Sequence, residues 1–228
     1  MIRLLLFLVV LAAVFVGPQL WIKRVFAQHS KLREDFPGTG GELARHLLDR
    51  FRLEQVQVET TDTSDHYDPI KKIIRLTPEN FHGKSLTAAT IAAHEVGHAL
   101  QDQAGYAPLK ERTRFVRIAQ GAEKVGAFVM LGIPLVAGIT RAPGAGILVM
   151  CAGIATMGVG TLIHLLTLPV EWDASFKRAL PVLERGGYLS REDLVDARTI
   201  LRAAALTYVA GSMASLLNLW RWVAMMRR

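Results

Sequence analysis

The chain has a single cysteine, Cys151, among its 228 residues. An intramolecular disulfide is therefore excluded, and cysteine usage says nothing about the redox compartment. A surface of one charge is also missing: the net charge is +7, but basic and acidic residues are interleaved in every polar region. Without a basic face of single sign, nucleic-acid binding is excluded too.

Charged residues are absent from four stretches of a chain that is 51% apolar, namely 4–22, 125–140, 142–170 and 203–220. A helix needs roughly 20 apolar residues to span a bilayer. Three stretches satisfy that length, and the shorter second one is flanked by Lys124 and Arg141, which can snorkel to the interface. The sequence predicts a mainly α membrane protein with about four transmembrane helices, the second and third joined as a hairpin by the turn residues of "RAPGAG".

The first stretch has an alternative interpretation as a secretory signal with "VFA" (25–27) as cleavage site. Lys23 and Arg24 follow it where a cleavable signal would be neutral, which favours an uncleaved span. By the positive-inside rule the same residues place 23–124 in the cytoplasm, and the hairpin returns 171–202 to that side. The two polar segments can therefore share a site.

The polar segment after the first span has clear local signals. Apolar spacing predicts a helix over 40–51, alternation predicts strands at 55–59 and 71–78, and "DHYDP" (65–69) has turn composition. Ser85 predicts the N-cap of a helix from Leu86 to about Gln103. An amphipathic helix is expected over 110–124.

Within that capped helix, "TIAAHEVGHALQ" (90–101) places two histidines four positions apart. On a helix, His94 and His98 project from nearly the same side, so both imidazoles can bind one zinc ion. Glu95 lies beside them, where a general base can take a proton from a zinc-bound water. Gly97 allows another backbone to approach closely. Because the chain's own composition predicts only about 0.01 such H-E-x-x-H matches by chance, a metal site is favoured over two core histidines.

A catalytic zinc normally has three protein ligands, and the third is not given by the motif. Ala104 stands where an extended H-x-x-G-x-x-H pattern needs histidine, which leaves Glu111, Glu123 and Glu171. Glu123 has a spacing open to a glutamate from the next helix. Glu171 ends the third uncharged stretch within "LPVEWDAS", and a metal ligand supported by Asp173 explains both carboxylates, the alternative being a pair of helix-end charges.

Three segments together resemble a known family: "DHYDPIKKIIRLTPENFHGKSLTAATIAAHEVGHALQ", "LPVEWDAS" and "AALTYVAGSMASLL" (204–217). They resemble the YugP-like neutral zinc metallopeptidases of bacterial membranes and, more distantly, the HtpX-like and CAAX-prenyl-protease gluzincins. The resemblance implies His94 and His98 as zinc ligands, Glu95 as general base and Glu171 as third ligand. One departure is that those relatives have an aspartate four residues after the glutamate, where this chain has Ser175.

The fold expected from these observations is a small α+β zincin-like domain built from the loops after the first and third spans. The expected divisions are a first span at 1–22, the zincin-like domain at 23–124, the hairpin at 125–170, a third-ligand segment at 171–200, and a fourth span with a basic end at 201–228.

The predicted function is a zinc-dependent endopeptidase of the bacterial inner membrane, multi-pass, with one Zn²⁺ per chain and its site on the cytoplasmic side. Its expected partners are a peptide or membrane-protein substrate and the lipid bilayer. An extended substrate could pair with the strand around Ile73–Leu76. Oxyanion stabilisation beyond zinc needs another donor, for which His66, Tyr67, His82 and Arg178 are possible; the alternative for each is a surface or turn residue, and none is selected.

Three other functions are alternatives. An intramembrane site-2-type protease would need an aspartate ligand in a later span, and a non-catalytic zinc scaffold would have no need of Glu95. A zinc transporter would have only His164 within the spans as a ligand.

Overall fold

The computed structural model describes residues 2–118, 121 and 166–226. Most of these residues are helical, and a small sheet of three strands lies in the first half of the chain. The elements in chain order are α1 (Ile2–His29), α2 (Gly40–Arg50), β1 (Gln57–Thr60), β2 (His66–Asp68), β3 (Ile73–Leu76), α3 (Pro78–Phe81), α4 (Leu86–Gln103), α5 (107–118), α6 (166–172), a π-helical segment (Asp173–Ala179), α7 (Leu180–Arg185) and α8 (Arg191–Met226).

Among the described helices, none is both long enough and apolar enough to cross a membrane. The prediction of a membrane protein with about four transmembrane helices is therefore wrong. The physical reason lies in the packing of α1 against α8, where Ile22, Val25 and Ala210 are buried and the Gln19 side chain donates to the Ala210 carbonyl at 3.2 Å. Apolar side chains attributed to the first and fourth spans are used in this contact. The predicted hairpin at 125–170 lies outside the described residues except for 166–170.

Helix α4 is the central element, and its sequence explains why. Ser85 accepts a hydrogen bond from the Ala88 amide at 3.1 Å, as predicted for the N-cap, and the helix runs to Gln103. Small residues such as Ala92 and Ala93 let neighbours pack closely, and nearly every residue of the helix is buried. It contacts α2, α3, α8, the π-helical segment and the sheet.

The sheet has the strand order β1-β3-β2, with β1 parallel and β2 antiparallel to β3. The prediction that a substrate pairs with Ile73–Leu76 is therefore wrong, because β3 is the middle strand and both its edges are already hydrogen-bonded. Ile74 and Leu76 alternate towards the core and are fully buried. The free edge near α4 belongs to β2, which the sequence predicted as a turn.

A π-helical segment follows α6 without a break, and its cause can be found in the sequence. Pro181 has no amide hydrogen and its ring clashes with the carbonyl four residues earlier, so a regular α-helical pattern is not available there. The Leu180 amide instead bonds the Ser175 carbonyl, five residues back. The wider turn places Asp173, Ala174 and Ser175 against α4.

Candidate metal centre

Helix α4 brings His94 and His98 to one side, one turn apart, with ring centroids 4.8 Å from each other. Both side chains are buried, with 4% of each residue exposed. Their Nε2 atoms point to the same oxygen, Glu171 Oε2, at 3.2 Å each. The spacing of four residues thus places both imidazoles on one side of the helix, as the sequence predicted.

Glu171 arrives from the last turn of α6, 77 residues after His94, and is 1% exposed. The three side chains offer one atom each, and these atoms lie within 4.8 Å of one another. Bonds of about 2.0–2.1 Å to a tetrahedral zinc place neighbouring ligand atoms about 3.3 Å apart. The two 3.2 Å separations match that spacing.

The Nδ1 atom of His94 is 3.1 Å from Ser175 Oγ. Because the Ser175 hydroxyl donates its own hydrogen to the Leu201 carbonyl at 3.3 Å, it accepts from His94 Nδ1. The serine therefore fixes the tautomer and the ring orientation of His94 and leaves Nε2 facing Glu171.

The Nδ1 atom of His98 is 2.9 Å from Gln101 Oε1. The orientation of that amide is determined by its nitrogen, which donates to the Val170 carbonyl at 2.8 Å and to Asp173 Oδ1 at 2.9 Å. Gln101 Oε1 is thus an acceptor, and His98 Nδ1 donates to it. Asp173 is held in turn by Arg178, whose Nε donates to Oδ1 at 2.8 Å.

Both histidines consequently present Nε2 to Glu171, where it can bind a proton or a metal ion. Imidazole nitrogens with Nδ1 hydrogen-bonded to outer groups are the usual form of histidine in zinc sites. A donor set of two imidazoles and one carboxylate, buried and preoriented in this way, fits one Zn²⁺.

Glu95 is buried beside this centre, and its Oε2 makes no hydrogen bond with the described residues. Desolvation is the main effect on it and raises the pKa of Glu95 to about 7. Glu171 and Asp65 act in the same direction through their charge, while His94 and Arg112 oppose it. A carboxylate of this pKa can accept and release a proton near neutrality.

Glu171 is affected differently, although it is equally buried. Burial alone would raise its pKa, but His98, His94 and Arg112 outweigh burial and hold the pKa of Glu171 well below its usual range. Arg112 Nη1 lies 3.2 Å from Oε1, the oxygen that faces away from the histidines. The carboxyl is therefore anionic, as a metal ligand must be.

A cavity of about 330 Å³ opens beside these groups. Its walls include His94, Glu95, His98 and Glu171, together with β2 and Arg112 of α5. A cavity of this size can receive part of an extended chain.

Of the other sequence-derived candidates for the third ligand, only Glu111 lies in the described part of the chain, and it is not part of the group that could hold a metal ion. Glu111 is exposed on α5, and Glu123 lies outside the described residues. Asp173 contacts Gln101 and Arg178, so it does not supply the aspartate ligand that the site-2-type alternative needed.

Three residues around the centre were missed as contributors: Gln101, Arg112 and, apart from its note as a departure, Ser175. Two of them had a detectable spacing, because Gln101 is three residues after His98 on a helix and Ser175 is four residues after Glu171. Arg112 carried no signal in the sequence, since α5 reaches the cavity only in the folded chain.

Comparisons with known proteins agree with this geometry. A family model described as "Putative neutral zinc metallopeptidase" matches residues 4–227. The chain is 36% identical over 207 residues to "Putative membrane protease YugP" of Bacillus subtilis (strain 168), covering 90% of this chain and 88% of that protein. No solved structure matches the present chain. The resemblance to the YugP-like family is thus confirmed, and the chain belongs to the family of neutral zinc metallopeptidases that this model describes.

Proposed function

We propose that the protein is a zinc-dependent endopeptidase in which His94, His98 and Glu171 hold the metal and Glu95 is the general base. The observation that carries the proposal is the convergence of two oriented imidazoles and an anionic carboxylate beside a buried Glu95 oxygen without a hydrogen bond. When bound, Zn²⁺ supplies Lewis-acid polarisation of the scissile carbonyl and lowers the pKa of water to about 7.

Glu95 has two tasks in this mechanism. It takes a proton from the attacking water and later gives it to the leaving amine, so that the proton lost at one step is returned at the next. Burial favours the return of the proton because desolvation raises the pKa of the carboxyl above that of an ordinary glutamate. The charge of Asp65 also raises the pKa of Glu95. Hydrogen bonds from Thr77 and Asn80 hold the Asp65 carboxylate beside the cavity.

The proposed substrate is an extended peptide that adds to the free edge of β2. His66 and Tyr67 of this strand line the cavity, and the opposite edge of β2 is occupied by β3. Strand addition uses backbone hydrogen bonds, so we expect a broad sequence specificity.

We also propose that the protein works in association with a membrane. The relative from Bacillus subtilis is named a membrane protease, and α1 exposes apolar side chains at Val14, Leu20 and Trp21. An exposed apolar set on one helix is typical of an interaction surface. Recovery of the full chain in the soluble fraction of lysed cells would contradict this part of the proposal.

The central test is the variant Glu95→Gln, which keeps the size of the side chain and removes its ability to accept a proton. We expect one zinc per chain, as in the wild type, and a loss of about 10²- to 10⁴-fold in the cleavage of unfolded casein. Glu79→Gln, an exposed position outside the cavity, is the control and should cleave normally. Retained cleavage in Glu95→Gln would rule out the proposed mechanism.

The ligand assignment is tested separately by metal analysis. Glu171→Gln should lose zinc after gel filtration, whereas Glu184→Gln, exposed on α7, should retain it. A stoichiometric zinc content in Glu171→Gln would show that another acid completes the site.

A further inference from the structure

Among the described residues that line the cavity, Arg112 is the one with a permanently cationic side chain. It comes from α5, 14 residues after His98, and only 18% of its side chain is exposed. Its Nη1 lies 3.2 Å from Glu171 Oε1, while Oε2 of the same carboxylate faces the histidines. The two oxygens of Glu171 therefore have different neighbours.

Peptide hydrolysis creates a need for such a cation. When water attacks the scissile carbonyl, an electron pair moves onto the carbonyl oxygen, which becomes an oxyanion next to the metal centre. A preoriented donor at that position stabilises the transition state more than the ground state. In the proposed mechanism Glu95 handles the proton, so a further side chain is needed to donate a hydrogen bond to the oxyanion.

The donors that the sequence suggested for this task are engaged elsewhere. Tyr67 donates its hydroxyl to Asp102 at 2.7 Å. The His66 Nδ1 atom is 2.7 Å from the Ser64 carbonyl, so it donates there and leaves Nε2 as an acceptor. Arg178 donates hydrogen bonds to Asp173 and to the Leu100 carbonyl, and it does not line the cavity.

His82, the fourth candidate, stands at the end of α3, where its ring packs on Phe81 and does not line the cavity. Arg112 thus combines a permanent charge, a place in the wall and contact with a proposed ligand.

We propose that Arg112 is a catalytic residue that donates a hydrogen bond to the oxyanion of the peptidase reaction. Its guanidinium carries donors on three nitrogens in one plane, so it can contact Glu171 and a neighbouring oxyanion together. No proton is transferred, because arginine stays protonated throughout. The proposal rests on the proposed peptidase function.

Two inhibitors that share Leu-Ala but differ in their zinc-binding group separate this role from metal binding. A phosphinic pseudopeptide, Phe-Ψ[PO₂-CH₂]-Leu-Ala, presents a tetrahedral anion with a second oxygen for Arg112, whereas a mercaptoacyl dipeptide Leu-Ala binds through sulfur alone. We expect Arg112→Ala to weaken the phosphinic compound about 100-fold and the thiol less than about threefold. Both affinities are measured by calorimetry on zinc-loaded protein.

Zinc content and kinetics complete the test. Arg112→Ala should keep one zinc per chain and lower kcat about 100-fold with little change in KM, and Arg112→Lys should recover part of kcat. Arg114→Ala, exposed on the same helix, is the matched control.

Three results would overturn the proposal. Equal weakening of both inhibitors, or loss of zinc from Arg112→Ala, would show that the arginine only holds Glu171 in place. Failure of the wild type to bind either inhibitor would refute the peptidase function itself, and the role of Arg112 with it.

Discussion

Gln101 uses all the hydrogen-bonding capacity of its amide nitrogen within the metal centre. It connects His98 of one helix to the Val170 carbonyl and Asp173 of another, and none of its surface is exposed. A group in this position controls which nitrogen of His98 faces the metal.

Replacing Gln101 by alanine should weaken zinc binding about 10- to 100-fold, because His98 Nδ1 loses its acceptor and the ring loses its orientation. Competition with a fluorescent chelator measures the affinity. Gln103→Ala on the same helix, where the side chain is exposed and has only a 3.4 Å bond to the Phe51 carbonyl, is the control. Equal zinc affinities for the two variants would contradict the orienting role of Gln101.

At the scale of elements, the centre depends on how closely α4 approaches the π-helical segment. Gly97 lies between the two histidines on α4, and a Cβ atom built there would be 2.6 Å from the Ala174 carbonyl oxygen. Both partners of that contact are backbone, so neither can turn away as a side chain could. The sequence prediction that Gly97 admits another backbone is confirmed.

Gly97→Ala should therefore lower the free energy of unfolding by about 1–3 kcal/mol and weaken zinc binding, because the helices must separate. Gly17→Ala, in a helical position with no atom within 4 Å of the new Cβ, should be neutral or slightly stabilising. Urea denaturation compares the two variants. If Gly97→Ala is as stable as Gly17→Ala, the close packing of α4 on the π-helical segment is not as described.

The elements differ in how far the sequence predicts them. Helix α4 was predicted to its end residues because a capping serine and a run of small residues specify it locally. The predicted helix over 40–51 is confirmed as α2, and α5 is helical over 107–118, the remainder to 124 lying outside the described residues apart from 121. Strand β2 was missed because its three residues have the composition of a turn, and pairing with β3 is a tertiary effect.

At the scale of the whole molecule, an ion pair joins the connection after α1 to the first turn of α8, 160 residues further along the chain. Arg33, in the connection after α1, donates to Asp193 Oδ1 at 2.8 Å and Oδ2 at 3.2 Å. Asp193 also accepts from the hydroxyl of Ser190, which in turn caps the start of α8 by accepting from the Asp193 amide. The bond from Arg33 is the main reason that the pKa of Asp193 is lowered.

Asp193→Asn should reduce the free energy of unfolding at pH 7 by about 1 kcal/mol, less than a fully buried charged bond, because water screens the half-exposed Arg33. A carboxyl whose pKa is lowered by folding stabilises the protein above its unfolded value of 3.8, and this stabilisation is lost as the pH falls through the folded pKa. The difference between wild type and variant should thus be constant from about pH 5 to 8 and shrink below about pH 4.

Urea titrations at these pH values measure that difference. Asp35→Asn, which removes the exposed partner of the same arginine, should shift the midpoint less. A difference that grows as the pH falls would contradict the assignment to Asp193.

The site residues were predicted from the sequence more successfully than the arrangement of the whole chain. The H-E-x-x-H motif and the resemblance led to His94, His98 and Glu171, which the fold brings together, whereas Arg112 became visible only once α5 was placed. Counting uncharged residues failed for the membrane spans because it does not distinguish apolar residues that face lipid from those, such as Ile22 and Ala210, that face another helix.

The distance along the chain between His98 and Glu171 has a consequence for biosynthesis. The acid is 73 residues downstream, so at ribosomal rates of about 5–20 residues per second it emerges roughly 4–15 s after the motif. During that interval the nascent chain carries Glu95 and the two imidazoles but lacks the Glu171 carboxylate. The three groups that could hold the metal ion therefore come together only when the segment that carries Glu171 has docked against α4.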